Sequence, residues 1–143
     1  AEYRDVAVVP FRPTYHDADY TIASGMILAL GDRGAEVDAM AHALLEAHWR
    51  DDADLSDTAM LSALATRLGH DGDALLAAAQ SADVAAQYAR NAQDALEAGI
   101  MGSPTYVVGG GMFYGQDRLE MLERALTRPF APTRWVNPPV QAT

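Results

Sequence analysis

Between residues 17 and 98, apolar residues recur every three or four positions, the spacing that places side chains on one face of an α-helix. Polar residues and glycines interrupt this pattern, so five helices are predicted. Ser56 or Asp57 is expected to cap the third helix and Ser81 the fifth, and Gly99 is expected to end the fifth. The predicted helices carry, in order, Ile22, Met26, Ile27 and Leu30; Val37, Met40, Leu44 and Leu45; Met60, Leu61, Leu64 and Leu68; a short run from Asp73 to Ala79; and Val84, Tyr88, Ala92 and Leu96.

After Gly99 the pattern changes to short runs of β-branched and aromatic residues. Residues 105–108 and 112–114 flank a glycine-rich turn, which predicts a β-hairpin. A final helix is predicted from Asp117, because Asp117 and Glu120 have the spacing of a capping box. Its buried face is expected to consist of Leu119, Leu122 and Leu126.

This pattern divides the chain into three segments. Residues 1–98 form a lead-in and a helical subdomain, residues 99–128 form the hairpin and the last helix, and residues 129–143 form a proline-rich tail. A two-stranded hairpin is marginally stable by itself. Val6–Val9 is the one other strand candidate. We therefore expect the hairpin to need a partner segment that this sequence does not contain.

Composition narrows the possible functions. The formal net charge is −10, and all ten basic residues are arginine, with no basic cluster. Such a surface repels phosphate backbones and anionic lipids, so neither a nucleic-acid nor a membrane partner is expected. The chain has no cysteine, which excludes disulfides, thiolate nucleophiles and thiolate metal ligands from it.

Ser103 and Pro104 stand immediately before the first predicted strand. A proline lacks the N–H that a strand interior requires, so Pro104 is expected at the first position of the strand. If the Ser103–Pro104 bond is cis, the backbone N–H and C=O of Ser103 are free to pair with an extended ligand, as an added strand would. This makes Ser103 and Pro104 candidate binding residues.

A second candidate follows the hairpin, in Gln116, Asp117 and Arg118. The amide of Gln116 offers a donor, the carboxylate of Asp117 accepts from an ammonium group, and Arg118 attracts an anion. Together with the first amides of the helix, this set suits the zwitterionic end of an amino acid. The alternative is that Asp117 and Glu120 only cap the helix.

Two segments carry a family resemblance. They are Gly-Ile-Met-Gly-Ser-Pro-Thr-Tyr-Val-Val from Gly99 and Met-Phe-Tyr-Gly-Gln-Asp-Arg-Leu from Met112. Together they resemble the C-terminal signature of the 2-hydroxychromene-2-carboxylate isomerases and of the kappa-class glutathione transferases. The upstream helices are similar to the helical insertion of these proteins, so nearly the whole chain matches the C-terminal two-thirds of the family.

The resemblance implies an α/β thioredoxin-like fold of the DsbA/kappa type with a helical insertion, and glutathione as the cofactor. Ser103 and Pro104 would hold the cysteinyl part of glutathione, and Gln116, Asp117 and Arg118 its γ-glutamyl end. The implied reaction is isomerisation of a small aromatic 2-hydroxychromene-2-carboxylate-like substrate by reversible thiol addition, in cytoplasmic aromatic catabolism. Family members form dimers, so a homodimer or a companion N-terminal segment is expected.

The sequence departs from the family in one large respect. Members open with a strand–helix–strand unit whose first loop carries a serine that activates the glutathione thiol, and nothing here matches it. The catalytic role is therefore given to none of the chain's serines. A DsbA-like thiol-disulfide oxidoreductase and a non-catalytic binding or subunit protein remain alternatives.

The histidines and Trp49 give weaker indications of a functional site. The histidines His16, His42, His48 and His70 include no pair four residues apart, so no metal site is predicted and structural roles are expected. Trp49, on the helical insertion, is expected to pack in the core, with lining of an aromatic substrate pocket as the alternative.

Overall fold

The computed structural model describes residues 12–128 and Phe130. Six α-helices and one β-hairpin occupy this part of the chain: α1 (Thr21–Ala29), α2 (Ala35–Trp49), α3 (Thr58–Arg67), α4 (Gly72–Ala79), α5 (Ala82–Glu97), β1 (Thr105–Val108), β2 (Gly111–Tyr114) and α6 (Leu119–Thr127). The described residues up to Gln93 form one compact unit, and those from Asp94 form a second. The predicted strand at residues 6–9 and most of the predicted tail lie outside the described residues.

The helical unit is built around close contact between α1 and α4. A side chain at Gly25 of α1 would place its Cβ 2.7 Å from the carbonyl oxygen of Ala79, so only glycine allows this approach. Around this contact the apolar positions predicted from the helical spacing form the core. Its members include Met26, Leu30, Met40, Leu44, Leu61, Leu64, Leu75 and Ala79.

Several helix caps and helix ends lie where the sequence predicts them. The side chain of Asp57 accepts hydrogen bonds from the amides of Ala59 and Met60 at the start of α3. Ser81 Oγ accepts from the amide of Val84 at the start of α5. Gly99 follows the end of α5 with φ 72°, a left-handed conformation that glycine adopts without strain. The predictions for Ser81, Gly99 and one of the two predicted α3 caps are confirmed.

Two predicted apolar faces differ from the observed burial. Leu45 is 58% exposed on α2, because that helix buries Met40 and Leu44 and turns Leu45 toward solvent. The predicted face of α5 exists as a stripe, but α5 buries none of its residues, and Leu96 is 72% exposed. Helical spacing therefore predicted the apolar stripe of α5, but it could not predict whether another element packs against that stripe.

In the second unit, β1 and β2 form the predicted antiparallel hairpin. Thr105 pairs with Tyr114 and Val108 with Gly111, and the turn is made by Gly109 and Gly110. One face of the hairpin buries Phe113, whose ring lies 6.2 Å from that of Phe130. The hairpin prediction is confirmed within one residue at each end.

The start of α6 was predicted wrongly. Gln116–Arg118 forms a 3₁₀ turn in which the amide of Arg118 donates to the carbonyl of Gly115, and α6 begins at Leu119. Asp117 therefore lies inside the turn, and no side chain caps α6. The burial of α6 also differs: Ala125 is buried, whereas Leu119 and Leu126 are 44% and 66% exposed.

Within residues 12–128, no helix combines the length and the hydropathy needed to cross a bilayer.

Candidate functional site

The candidate site in the second unit begins where β1 does. The Ser103–Pro104 peptide bond is cis, as the sequence analysis considered, and Thr105 is the first residue of β1. The hydroxyl of Thr105 donates to the carbonyl of Gly102, which closes the backbone around the proline. Ser103 is exposed, and none of the described residues forms a hydrogen bond with its amide or carbonyl.

One backbone hydrogen bond joins the two sequence motifs. The amide of Gly115 donates to the carbonyl of Pro104 over 2.9 Å, one step beyond the Thr105–Tyr114 pair of the hairpin. The segment before β1 and the segment after β2 therefore lie side by side at the same end of the hairpin. This brings Ser103 and Pro104 together with the Gln116–Arg118 turn.

Glycine is required at the corner between β2 and the turn. Gly115 has φ 101°, and a Cβ at this position would lie 2.5 Å from Oδ1 of Asp117. The carboxylate of Asp117 therefore lies over the Gly115 backbone, in space that any other residue would fill. The glycine sets the direction of the chain and leaves room for this carboxylate.

The charged groups of the turn are open to solvent. Asp117 Oδ2 lies 3.7 Å from a guanidinium nitrogen of Arg118, and the two side chains are 66% and 52% exposed. Gln116 is exposed as well. Asp117 caps no helix, so its carboxylate does not have the capping role that the sequence analysis gave as the alternative. The structure thus places a carboxylate, a guanidinium and an amide on the turn that follows the Gly115–Pro104 hydrogen bond.

Trp49 is the last residue of α2, in the helical unit. It helps to line a cavity of about 370 Å³ together with His16, Tyr20 and His48. The Nδ1 atom of His16 lies 3.4 Å from Nε2 of His48, and the two rings are nearly parallel. The sequence analysis missed this pair because its members are 32 positions apart, and no spacing rule connects a loop residue with the end of a helix.

His48 is the one buried polar side chain among the described residues, at 5% exposure. Burial lowers the pKa of His48, the nearby His16 lowers it further, and the Asp52 carboxylate and the Ala53 backbone oppose this. The Nδ1 atom of His48 is buried, and the Ala53 backbone is close enough to act on the ring as a hydrogen-bond partner.

The neighbouring loop is fixed by Asp52. Its carboxylate accepts hydrogen bonds from the amide and the hydroxyl of Thr14, both over 2.7 Å, and these bonds lower the pKa of Asp52. The hydroxyl of Tyr20 donates to the carbonyls of Tyr15 and His16. The loop that carries His16 is thus held at its backbone by Tyr20 and Asp52. Nowhere in the described ranges do three or more histidine or carboxylate side chains converge as a metal site requires.

Comparison with known proteins identifies the family and the fold. A family model described as a DSBA-like thioredoxin domain matches residues 5–127. The fold is similar to that of a solved 2-hydroxychromene-2-carboxylate isomerase, with a TM-score of 0.71 and 24% sequence identity. The similarity covers 82% of this chain and 56% of that one. No curated protein matches.

Proposed function

Because this chain belongs to the DSBA-like thioredoxin family, we propose that it takes part in a glutathione-dependent isomerisation of an aromatic substrate. The observation that carries the proposal is the hydrogen bond between Gly115 and Pro104, which puts the Ser103 backbone beside the Gln116–Arg118 turn. An isomerase of similar fold supports the reaction class. The proposed substrate is similar to 2-hydroxychromene-2-carboxylate.

The proposed glutathione site uses the backbone of Ser103 and the side chains after Gly115. The unpaired amide and carbonyl of Ser103 would pair with the cysteinyl backbone of glutathione, as a neighbouring strand does. The γ-glutamyl end carries an ammonium and a carboxylate. Asp117 would accept from the ammonium and Arg118 would attract the carboxylate, with Gln116 donating beside them. The residues present therefore fit the ligand.

When bound, glutathione would supply a thiolate that adds to a conjugated double bond of the substrate and leaves again once that bond has rotated. The chain's own groups hold and orient it. No serine of this chain is assigned to thiol activation, because several have other partners. Ser56 bonds to Asp54 and Ser62 to Asp73. We propose that the activating serine belongs to a strand–helix–strand unit not contained in this sequence.

Isothermal titration with reduced glutathione tests the site. Asp117→Asn removes the negative charge with little change in size, and we expect it to weaken binding roughly tenfold or more. Glu120→Gln is the matched control, since Glu120 is exposed in the first turn of α6 and lies outside the proposed site. Ser103→Ala should bind as the parent does, because the proposed contact is through the backbone. Equal affinities for the parent, Asp117→Asn and Glu120→Gln would overturn the proposal.

The family match also favours a second candidate, a DsbA-like thiol-disulfide oxidoreductase. The chain contains no cysteine, so its dithiol would have to come from outside this sequence. Two assays on the purified protein separate the candidates. Glutathione-dependent isomerisation of 2-hydroxychromene-2-carboxylate supports the first, and reduction of insulin disulfides supports the second. Glutathione binding without either activity would indicate a non-catalytic subunit.

We further propose that this protein functions as a homodimer or with a companion segment. The exposed Val107, Leu119 and Leu126 of the second unit support this, because apolar groups on adjacent elements are usually covered in an assembly. Light scattering coupled to gel filtration is the test. A mass of 15.3 kDa at micromolar concentration, with no second polypeptide, would contradict it.

A further inference from the structure

Tyr114 lies against the backbone that precedes the cis-proline. It is the last residue of β2 and pairs with Thr105, the first residue of β1, so the two side chains lie on the same face of the hairpin. A Cβ at Gly102 would lie 3.1 Å from Cε2 of Tyr114 and 3.2 Å from its hydroxyl oxygen. The phenol therefore extends from β2 past the start of β1 and occupies space that a side chain at Gly102 would need.

The contact with Gly102 brings this hydroxyl to the proposed glutathione site. Gly102 directly precedes Ser103, whose backbone we propose to pair with the cysteinyl part of glutathione. Gly115, which follows Tyr114 in the chain, donates to the carbonyl of Pro104, so the end of β2 and the segment before β1 are joined on both sides of Ser103. The hydroxyl therefore lies over the residue next to the proposed ligand contact.

The hydroxyl of Tyr114 is available to a ligand. None of the described residues forms a hydrogen bond with it, and the side chain is 50% exposed. A phenol carries one O–H donor, which rotates toward an acceptor that lies within reach. The site thus has a hydroxyl donor that the sequence analysis did not include among its candidates.

The two faces of the hairpin differ in what covers them. Phe113 is buried on one face, whereas Val107 is 55% and Met112 40% exposed on the face of Tyr114. Successive side chains of a strand point to opposite faces of its sheet. A cysteinyl residue paired with Ser103 therefore points its sulfur toward one face or the other, and the open face is the one with room for it. On that face the sulfur would meet the hydroxyl of Tyr114.

We infer that the hydroxyl of Tyr114 donates a hydrogen bond to the sulfur of glutathione bound at Ser103. This inference rests on the glutathione site proposed above. A hydrogen bond to the charged form favours that form, so the contact lowers the pKa of the bound thiol. The thiol loses its proton to solvent and the phenol keeps its own. Tyr114 is thus a donor to the thiolate in addition to the serine proposed to lie outside this sequence.

Isothermal titration with two ligands tests the inference. One is reduced glutathione, and the other is γ-glutamyl-2-aminobutyryl-glycine, in which a methyl group replaces the thiol. Tyr114→Phe removes a single oxygen atom. At about pH 9, above the ordinary thiol pKa of about 8.5, we expect it to weaken glutathione binding about tenfold and to leave the affinity for the methyl analogue unchanged. Tyr106→Phe is the matched control, because Tyr106 pairs with Phe113 on the covered face.

The pKa of the bound thiol is a readout that a purely structural role of Tyr114 would not change. It is followed by the ultraviolet absorbance of the thiolate as the pH is raised, taken as the difference between the complexes with the two ligands. We expect the pKa of the bound thiol to be about one pKa unit higher in Tyr114→Phe than in the parent, the equivalent of the tenfold loss of affinity. Tyr106→Phe should keep the parent's value.

The possible results separate this inference from the proposal on which it rests. If the parent does not bind glutathione, both fail. If the parent and a folded Tyr114→Phe variant bind glutathione equally well, with the same pKa of the bound thiol, the glutathione site stands and the role of Tyr114 is refuted. An equal loss of affinity for both ligands also refutes it, because the hydroxyl would then contact a part of the tripeptide other than the sulfur. Circular dichroism establishes that each variant is folded.

Discussion

At the residue scale, single positions determine the geometry of the candidate site. The sequence identified Ser103, Pro104 and the Gln116–Arg118 segment as candidates, and the hydrogen bond from Gly115 to Pro104 brings them together. The cap at Asp117 was wrong for a local reason. The chain bends at Gly115 into a 3₁₀ turn before the α-helix starts, and the Asp117 side chain lies over the glycine instead of on a helix amide.

Gly115→Ala tests this corner. The new Cβ would displace the Asp117 carboxylate, and φ near 101° is unfavourable for any residue with a side chain. We expect a loss of about 1–3 kcal/mol in the free energy of unfolding, together with weaker glutathione binding. Chemical denaturation and isothermal titration measure the two effects. A variant with the stability and affinity of the parent would show that the corner does not need glycine.

The buried histidine predicts a pH dependence. The folded state lowers the pKa of His48, so as the pH falls below about 6.5 the unfolded state binds a proton first. Stability should therefore fall from pH 7 toward pH 5 and level off once folded His48 is also protonated. His16 and Asp52 are the ionisable groups that act on His48. The Asp52 pKa is lowered from an ordinary value near 4, so its own contribution is lost at more acidic pH.

Urea denaturation at several pH values, compared between the parent and His48→Leu, measures this contribution. The stability of the variant should change less than that of the parent between pH 7 and pH 5. Parallel slopes for the two proteins would contradict the lowered pKa of His48.

At the element scale, periodicity predicted the helices well and their partners poorly. The spacing of apolar residues located α1 to α5 and the hairpin, because the 3.6-residue and two-residue periods are properties of the local chain. Burial depends on what packs against a face. Leu45, Leu96 and Leu126 continue an apolar stripe yet remain exposed, which no local pattern could reveal.

The contact between α1 and α4 supplies a test at this scale. Gly25→Ala would force a Cβ to within 2.7 Å of the Ala79 carbonyl, a fixed backbone atom, so the two helices must separate. We expect the free energy of unfolding to fall by about 1–3 kcal/mol, the usual effect of overpacking a core, despite the better helix propensity of alanine. Thermal denaturation followed by circular dichroism measures it. An unchanged or raised melting temperature would mean that the helices are not packed this closely.

At the scale of the whole molecule, the fold was predictable and the helical cavity was not. Two short motifs identified the thioredoxin-like family because the cis-proline segment and the Gly-Gln-Asp-Arg corner are each local in sequence. The His16–His48 pair joins a loop to the end of α2 and became visible only once the helices were packed. The chain spans 56% of the isomerase whose fold it shares.

The central claim is that the corner around Pro104 and Gly115 binds glutathione. The most direct measurement is an amide ¹H–¹⁵N NMR titration of the labelled protein with reduced glutathione. The account predicts saturable shifts at the amides of Ser103 and Gly115 and in the Gln116–Arg118 turn, with those in the core of α1 to α4 unchanged. Absence of saturable shifts at the corner, or shifts confined to the helical unit, would contradict it.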